Sequence, residues 1–218
     1  NTWWHGKQLS EQNGEVLGFH LLQDQNNHYL LSATAPVVTR RMQLTRNDLA
    51  LPGKEYGYDA PVPLKDSILP SKSGIYFRSD VLKDTSYLHG RYTLDLKLIP
   101  DCYDADLITR LYEETADGEF LLLGTGLNRI SNREISTQPV YMRPGELNEV
   151  QLESLYFTER MLRPGSRILL WLDIHASTSY EFNNGEKGKV SAQDRRDFKG
   201  IRLNILSDSK LMLPVRKK

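Results

Sequence analysis

The stretch Arg91-Tyr92-Thr93-Leu94-Asp95-Leu96-Lys97-Leu98 decides how this sequence folds. Its apolar members, Tyr92, Leu94, Leu96 and Leu98, fall on every second position, with polar residues between them. Successive side chains of a strand point to opposite faces. The pattern therefore predicts a strand with one face in a core and the other in water.

The same alternation recurs at residues 106–111, 149–155, 201–205 and 211–215. Residues 74–79, 119–123 and 168–174 are apolar enough to be central strands of a sandwich. Turn signals separate the runs. Pro-Gly occurs at 52–53, 144–145 and 164–165, and Asn184-Gly185 marks a further turn. Asp117-Gly118, set between two strand-like runs, is a hairpin signal. Helical patterning is weak: residues 46–51 and 158–163 are read as one or two turns each, and 190–198 as loop or short helix. About a dozen short strands with short turns predict an all-β fold, a jelly-roll β-sandwich with a few short helical turns. Residues 51–73 and 175–200 are read as two long loops, a class of segment that often contacts partners.

Composition agrees with a folded, water-facing chain. The 218 residues are 39% hydrophobic and 26% charged. Twenty-eight Lys and Arg balance 28 Asp and Glu, so no global field draws in nucleic acid or an anionic membrane. The longest apolar runs, 120–123 and 168–172, fall far short of the ~20 residues of a membrane span. A single cysteine, Cys102, excludes an intrachain disulfide and a cysteine metal cluster, and is compatible with a cytoplasmic or a secreted setting. The chain begins at Asn1 rather than Met, which is read as the mark of processing or of excision from a longer polypeptide.

Catalytic patterns are missing. There is no G-x-S-x-G nucleophile elbow and no phosphate-binding glycine loop. Gly124-Thr125-Gly126 follows a strand pattern but opens no helix, and reads as a bulge or bend at a sheet edge. The histidines, His5, His20, His28, His89 and His175, show no metal-pair spacing, and His175, at the end of a core-like strand, is the best of them. Asp101, Asp104 and Asp106 have the oxygen chemistry for a cation but lack the loop glycine and distal glutamate of a calcium loop. They read instead as turn-capping residues. No catalytic residue, metal or cofactor is expected. Tyr56, Tyr58, Tyr180 and Phe182 lie in the two long loops, where aromatic rings either stack on a sugar or anchor the loops and meet another domain.

The order of these motifs resembles the C-terminal non-catalytic domain of the X-prolyl dipeptidyl peptidase / cocaine esterase (CocE/NonD) family of serine hydrolases. The carriers of the resemblance run along most of the chain. Trp3 or Trp4 stands at the opening strand, and Tyr56-Gly57-Tyr58-Asp59-Ala60-Pro61-Val62-Pro63 is similar to a Y-x-Y-D-P-x-x-P-V-P segment. Asp104-Ala105-Asp106-Leu107 resembles D-T-D-F, and Met142-Arg143-Pro144-Gly145-Glu146 resembles L-x-P-G-E. Residues 162–172 are similar to F-x-x-G-H-R-I-R-L-x-I, with Ser166 where the family often has His, and 208–215 match the S-x-L-x-L-P-V ending. The sequence departs from the family at Asp59-Ala60-Pro61, where the family has Asp-Pro, and at Tyr180-Glu181-Phe182, which lacks the family's proline.

The resemblance implies a galactose-binding-domain-like jelly roll comprising residues 1–218 as one domain, cut from a longer chain. It implies an upstream α/β-hydrolase domain that carries the catalytic triad and on which the sandwich packs, helping to shape substrate access. Oligomerisation through that parent enzyme, X-Pro peptidase or ester hydrolase, follows as a further expectation. It places Trp3, Trp4, Tyr56, Tyr58, Ile68, Leu69, Tyr180 and Phe182 as candidates for the interdomain or cleft-facing surface. A carbohydrate-binding module of the same architecture is the alternative.

Overall fold

Alternation becomes burial in the computed structural model, which describes residues 15–48, 74–133, 138–175 and 181–216. The deciding stretch forms β6 (Thr93–Pro100), whose residues are in turn half-buried and buried from end to end. Leu94, Leu96 and Leu98 are at most 1% exposed. Each such leucine contributes roughly 1.5–3 kcal/mol by leaving water. Tyr92, just before the strand, is buried with its hydroxyl 2.9 Å from Thr109 Oγ1, so the phenol enters the core with its polar end satisfied.

The remaining strands are β1 (Glu15–Gln23), β2 (Tyr29–Ser32), β3 (Arg41–Arg46), β4 (Ile75–Ser79), β5 (Ser86–Gly90), β7 (Asp106–Glu114), β8 (Phe120–Arg129), β9 (Asn148–Glu153), β10 (Thr158–Leu162), β11 (Arg167–Ile174), β12 (Ile201–Leu206) and β13 (Lys210–Arg216). The helical content described is three single 3-10 turns at Ile130–Asn132, Val190–Ala192 and Arg195–Asp197.

Hydrogen bonding runs in the order β3-β12-β6-β13-β1-β2-β4-β11-β7-β8, with β9 on β6, and β5 joining β13 to β10. The described pairings are antiparallel except β2 with β4, where Leu30 and Leu31 lie beside Arg78 and Ser79. At that junction the sheet turns over, so β4-β11-β7-β8 faces the layer built on β6 and β13. The main core draws on both layers: Phe77, Leu111, Leu170 and Leu172 meet Leu94, Leu203, Leu211 and Leu213. The fold is an all-β sandwich, as the alternation requires.

Several expectations change in detail. Residues 158–163, read as helical turns, form β10, because pairing with β5 from Thr158↔Gly90 to Leu162↔Ser86 outweighs local helix preference. Residues 106–111 belong to a strand buried on both faces. Its second face packs in a separate cluster of Ile108, Tyr112, Phe120, Leu169 and Trp171. Residues 119–123 continue through the two glycines to Arg129. The expected irregularity is present: Leu111 pairs with Gly124 and Tyr112 with Leu122, which leaves Leu123 as an extra residue. Gly126 allows a close approach, since a Cβ there would stand 2.5 Å from Thr109 Oγ1. Of residues 46–51, Arg46 ends β3 and 49–51 lie outside the described residues, as does the whole loop 51–73.

Candidate functional site

The longest described loop, 181–200, lies against the turn between β6 and β7, and its anchoring explains the acidic cluster. Asp104 Oδ1 accepts from the backbone N–H groups of Ala105 and Ser131, both at 2.9 Å. Its Oδ2 accepts from Ser131 Oγ at 2.8 Å and Asn183 Nδ2 at 3.0 Å. Asp106 takes both arms of Arg129, Nε and Nη2, at 2.8 Å, and Asn183 Nδ2 at 3.0 Å. Burial pushes the Asp104 carboxyl above its ordinary pKa, and the hydrogen bonds to Ser131, Asn183 and Ala105 oppose that rise. Asp101 faces away from this network and accepts from the Arg202 N–H at 2.8 Å. Asp104 and Asp106 tie the loop to the sandwich and Asp101 closes onto β12, in line with the turn-holding reading.

The loop closes over Cys102. The Gly185 carbonyl accepts from the N–H groups of Tyr103 and Asp104 at 2.8 and 3.1 Å. Gly185 sits at φ 89°, with the position of a Cβ 3.0 Å from Cys102 Cβ, so both its backbone conformation and its contact call for glycine. Beneath it, burial pushes the Cys102 thiol up to about 12, with Asp101 and Asp104 adding to the rise, which leaves an inert sulfur.

Phe182 is half-buried in this loop. Phe198 meets its ring edge-on at 5.0 Å, and the Arg195 guanidinium lies over it at 5.7 Å. It therefore anchors the loop. Trp3, Trp4, Tyr56, Tyr58, Ile68, Leu69 and Tyr180 lie outside the described residues.

The remaining polar candidates assemble no cluster of metal-binding side chains: among the described residues no three His, Cys, Asp or Glu gather as ligands. His28 pairs with Asp24 at 3.1 Å on an exposed turn, and the edge of the His89 ring meets Phe157. His175 follows β11, and its backbone N–H donates to the Asp106 carbonyl at 2.7 Å. Arg46, buried, donates from Nε to the Ile174 carbonyl at 2.9 Å and from Nη2 to Asp173 at 3.2 Å. Sequence reading passed over this arginine, because nothing in β3 distinguishes an inward guanidinium from a solvated one.

Comparison with known proteins gives this arrangement a context. Residues 16–206 match the family model described as the X-Pro dipeptidyl-peptidase C-terminal non-catalytic domain. A cocaine esterase from Rhodococcus sp. (strain MB1 Bresler) is 25% identical over 117 residues, which cover 54% of this chain and 20% of that protein. An aminopeptidase structure from the marine sediment archaeon Thaumarchaeota archaeon superposes with a TM-score of 0.75 at 12% identity, over 94% of this chain and 37% of that one. An α-amino acid ester hydrolase superposes with a TM-score of 0.73 at 15% identity, over 92% and 36%. At those identities the superpositions show a shared fold. This chain matches a fifth of the length of the curated relative and little more than a third of the solved ones.

Proposed function

This chain belongs to the family of X-Pro dipeptidyl-peptidase C-terminal non-catalytic domains, and on that premise we propose that it is the accessory sandwich of a serine hydrolase of the X-Pro peptidase or acyl-ester type. In this reading residues 1–218 are one domain of a longer polypeptide. An α/β-hydrolase domain upstream performs the chemistry, and the sandwich buries part of its surface and narrows the approach to its cleft. The observation that carries the reading is the family match across residues 16–206. Two features of the chain support it. The carboxylates Asp104 and Asp106 are committed to fold-holding hydrogen bonds. The lone thiol is buried with its pKa at about 12.

The cleft-facing surface is proposed to comprise Trp3, Trp4, Tyr56, Tyr58, Ile68, Leu69, Tyr180 and Phe182. Of these, Phe182 is held in place by Phe198. A carbohydrate-binding role is less well supported, since Arg195 lies over the Phe182 ring where a sugar would stack.

The test compares the purified chain with the natural polypeptide that carries it. X-Pro-nitroanilides and simple esters are the substrates. The reading expects no turnover by the chain alone, turnover by the full polypeptide, and loss of that turnover when this domain is deleted. Turnover by the chain that survives repurification overturns it.

A further inference from the structure

The layer containing β5, β10 and β13 carries an apolar band on its outer face. Leu88 and Val215 point inward to the core, so their neighbours Tyr87, His89, Pro214 and Arg216 point outward. Met161, 40% exposed, lies opposite Tyr87 on β10, and Val16, 53% exposed, lies opposite Pro214 on β1. The connection from β9 to β10 brings exposed Phe157 onto this face, its ring 4.9 Å from His89. The exposed apolar run continues back through Tyr156 to Leu155 at the edge beside β8, where the Thr125 carbonyl accepts the Leu155 N–H at 2.7 Å.

Two half-exposed aromatic rings leave roughly 100 Å2 uncovered apiece. With Leu155, Met161 and Val16 the band reaches the few hundred Å2 at which an apolar surface marks a contact site. The charged groups that cross it are neutralised within it, since Arg216 Nη2 pairs with Glu159 Oε1 at 3.0 Å. A partner that settles here therefore leaves no unpaired charge of this pair behind.

We propose that this band, Val16, Tyr87, Leu155, Tyr156, Phe157 and Met161, is the face on which the upstream catalytic domain docks. The inference rests on the accessory-domain reading and adds the face to it. Two observations select the occupant. The family is defined as C-terminal, and relatives of this fold are chains of which the sandwich covers little more than a third, so the polypeptide that needs a seat lies on the N-terminal side. The first described strand begins in the band itself, at Glu15 and Val16.

The experiment is hydroxyl-radical labelling with mass spectrometry on the full natural polypeptide, with Leu147, 55% exposed on a separate loop, as the reference. With each rate divided by the intrinsic reactivity of its side chain, the proposal expects Tyr156, Phe157 and Met161 to label several-fold more slowly than Leu147. It expects that protection to persist on dilution to a monomer verified by sedimentation. Labelling of the band at the reference rate, with protection on another face of the sandwich, overturns the proposed face and leaves the accessory role standing. No protection on any face overturns both. Protection lost on dilution overturns the proposal in favour of a second copy of the chain.

Discussion

Arg160 on β10 donates from Nε to Glu113 on β7 at 2.8 Å, and so joins the two layers of the sandwich where no described backbone pairing connects them. The Glu113 side chain is 2% exposed and the Arg160 side chain 43%. Ser166 Oγ holds the second carboxylate oxygen at 2.8 Å. At the opposite edge Arg46 of β3 and Asp173 of β11 form a comparable buried bridge. Each edge of the sandwich is thus pinned by a guanidinium reaching across from the other layer.

Removing the guanidinium leaves a buried carboxylate with one hydroxyl donor. Arg160→Met is expected to cost about 1–3 kcal/mol, below the range for a fully buried pair because Arg160 is partly solvated. Glu113→Gln in the same chain should restore part of that loss, since the uncompensated charge is gone. Urea unfolding of the two single variants and the double variant measures both. A double variant as unstable as the sum of its parts would count against this account.

Glycines in this fold separate into those that need space and those that need conformation. Gly126 lies in extended β8, and an added Cβ would meet Thr109 Oγ1 at 2.5 Å and the Glu153 carbonyl at 2.9 Å. Gly118 has φ 79° in a hairpin turn with open space around it. Gly118→Ala should therefore cost about 1 kcal/mol from the left-handed backbone alone. Gly126→Ala should cost about 1–3 kcal/mol from overpacking, at the upper end because its closer neighbours include a backbone carbonyl. Thermal unfolding of the two variants checks the order, and a milder effect at Gly126 would contradict it.

Cys102 should be nearly silent toward thiol reagents in the folded chain. With its pKa at about 12, its thiolate fraction at pH 8 is about a thousandfold below that of an ordinary thiol near 8.5. Modification by a disulfide reagent should therefore require unfolding, and its rate should rise with urea along the unfolding transition. Fast, urea-independent labelling would refute the buried placement.

Asp104 gives stability a defined pH dependence. Its folded pKa is raised by burial, so between the ordinary aspartate value and that raised value the folded chain binds more protons than the unfolded one. The contribution is fully present below the unfolded pKa and is lost as pH rises through the folded pKa. Wild type minus Asp104→Asn, followed by unfolding free energy against pH, should fall with rising pH from about 4 upward. A difference that rises across that window would mean that the donors from Ser131 and Asn183 outweigh burial.

The sandwich was legible because alternation is a local property. Leu94, Leu96 and Leu98 mark their own faces, and β12 and β13 announce themselves in the same way. β1 was harder to see. Val16 and Leu22 put apolar side chains on its outer face and blur the period around Leu17, Phe19 and Leu21. β10 was misread because Thr158–Leu162 offers a single inward residue, Leu162, and owes its strand form to pairing with β5. Of the candidate site, the acidic cluster was assigned its turn role from sequence. The donors that give it that role, Arg129, Ser131 and Asn183, stand 23 to 79 positions away, beyond the reach of any local pattern.

Sequence alone determined the all-β class, the hairpin at Asp117-Gly118 and the absence of a nucleophile elbow, because each depends on residues within a few positions of one another. Tertiary structure alone decided which apolar residues are left outside. Leu152 and Leu155 fall within one strand-like run of the sequence, yet one is 1% exposed inside β9 and the other 42% exposed beyond its end. Leu152 pairs opposite Leu94 over the core, whereas Leu155 lies past the end of β9 in the connection to β10. A side chain's face is set by the register of its strand, and register is fixed between strands rather than along one.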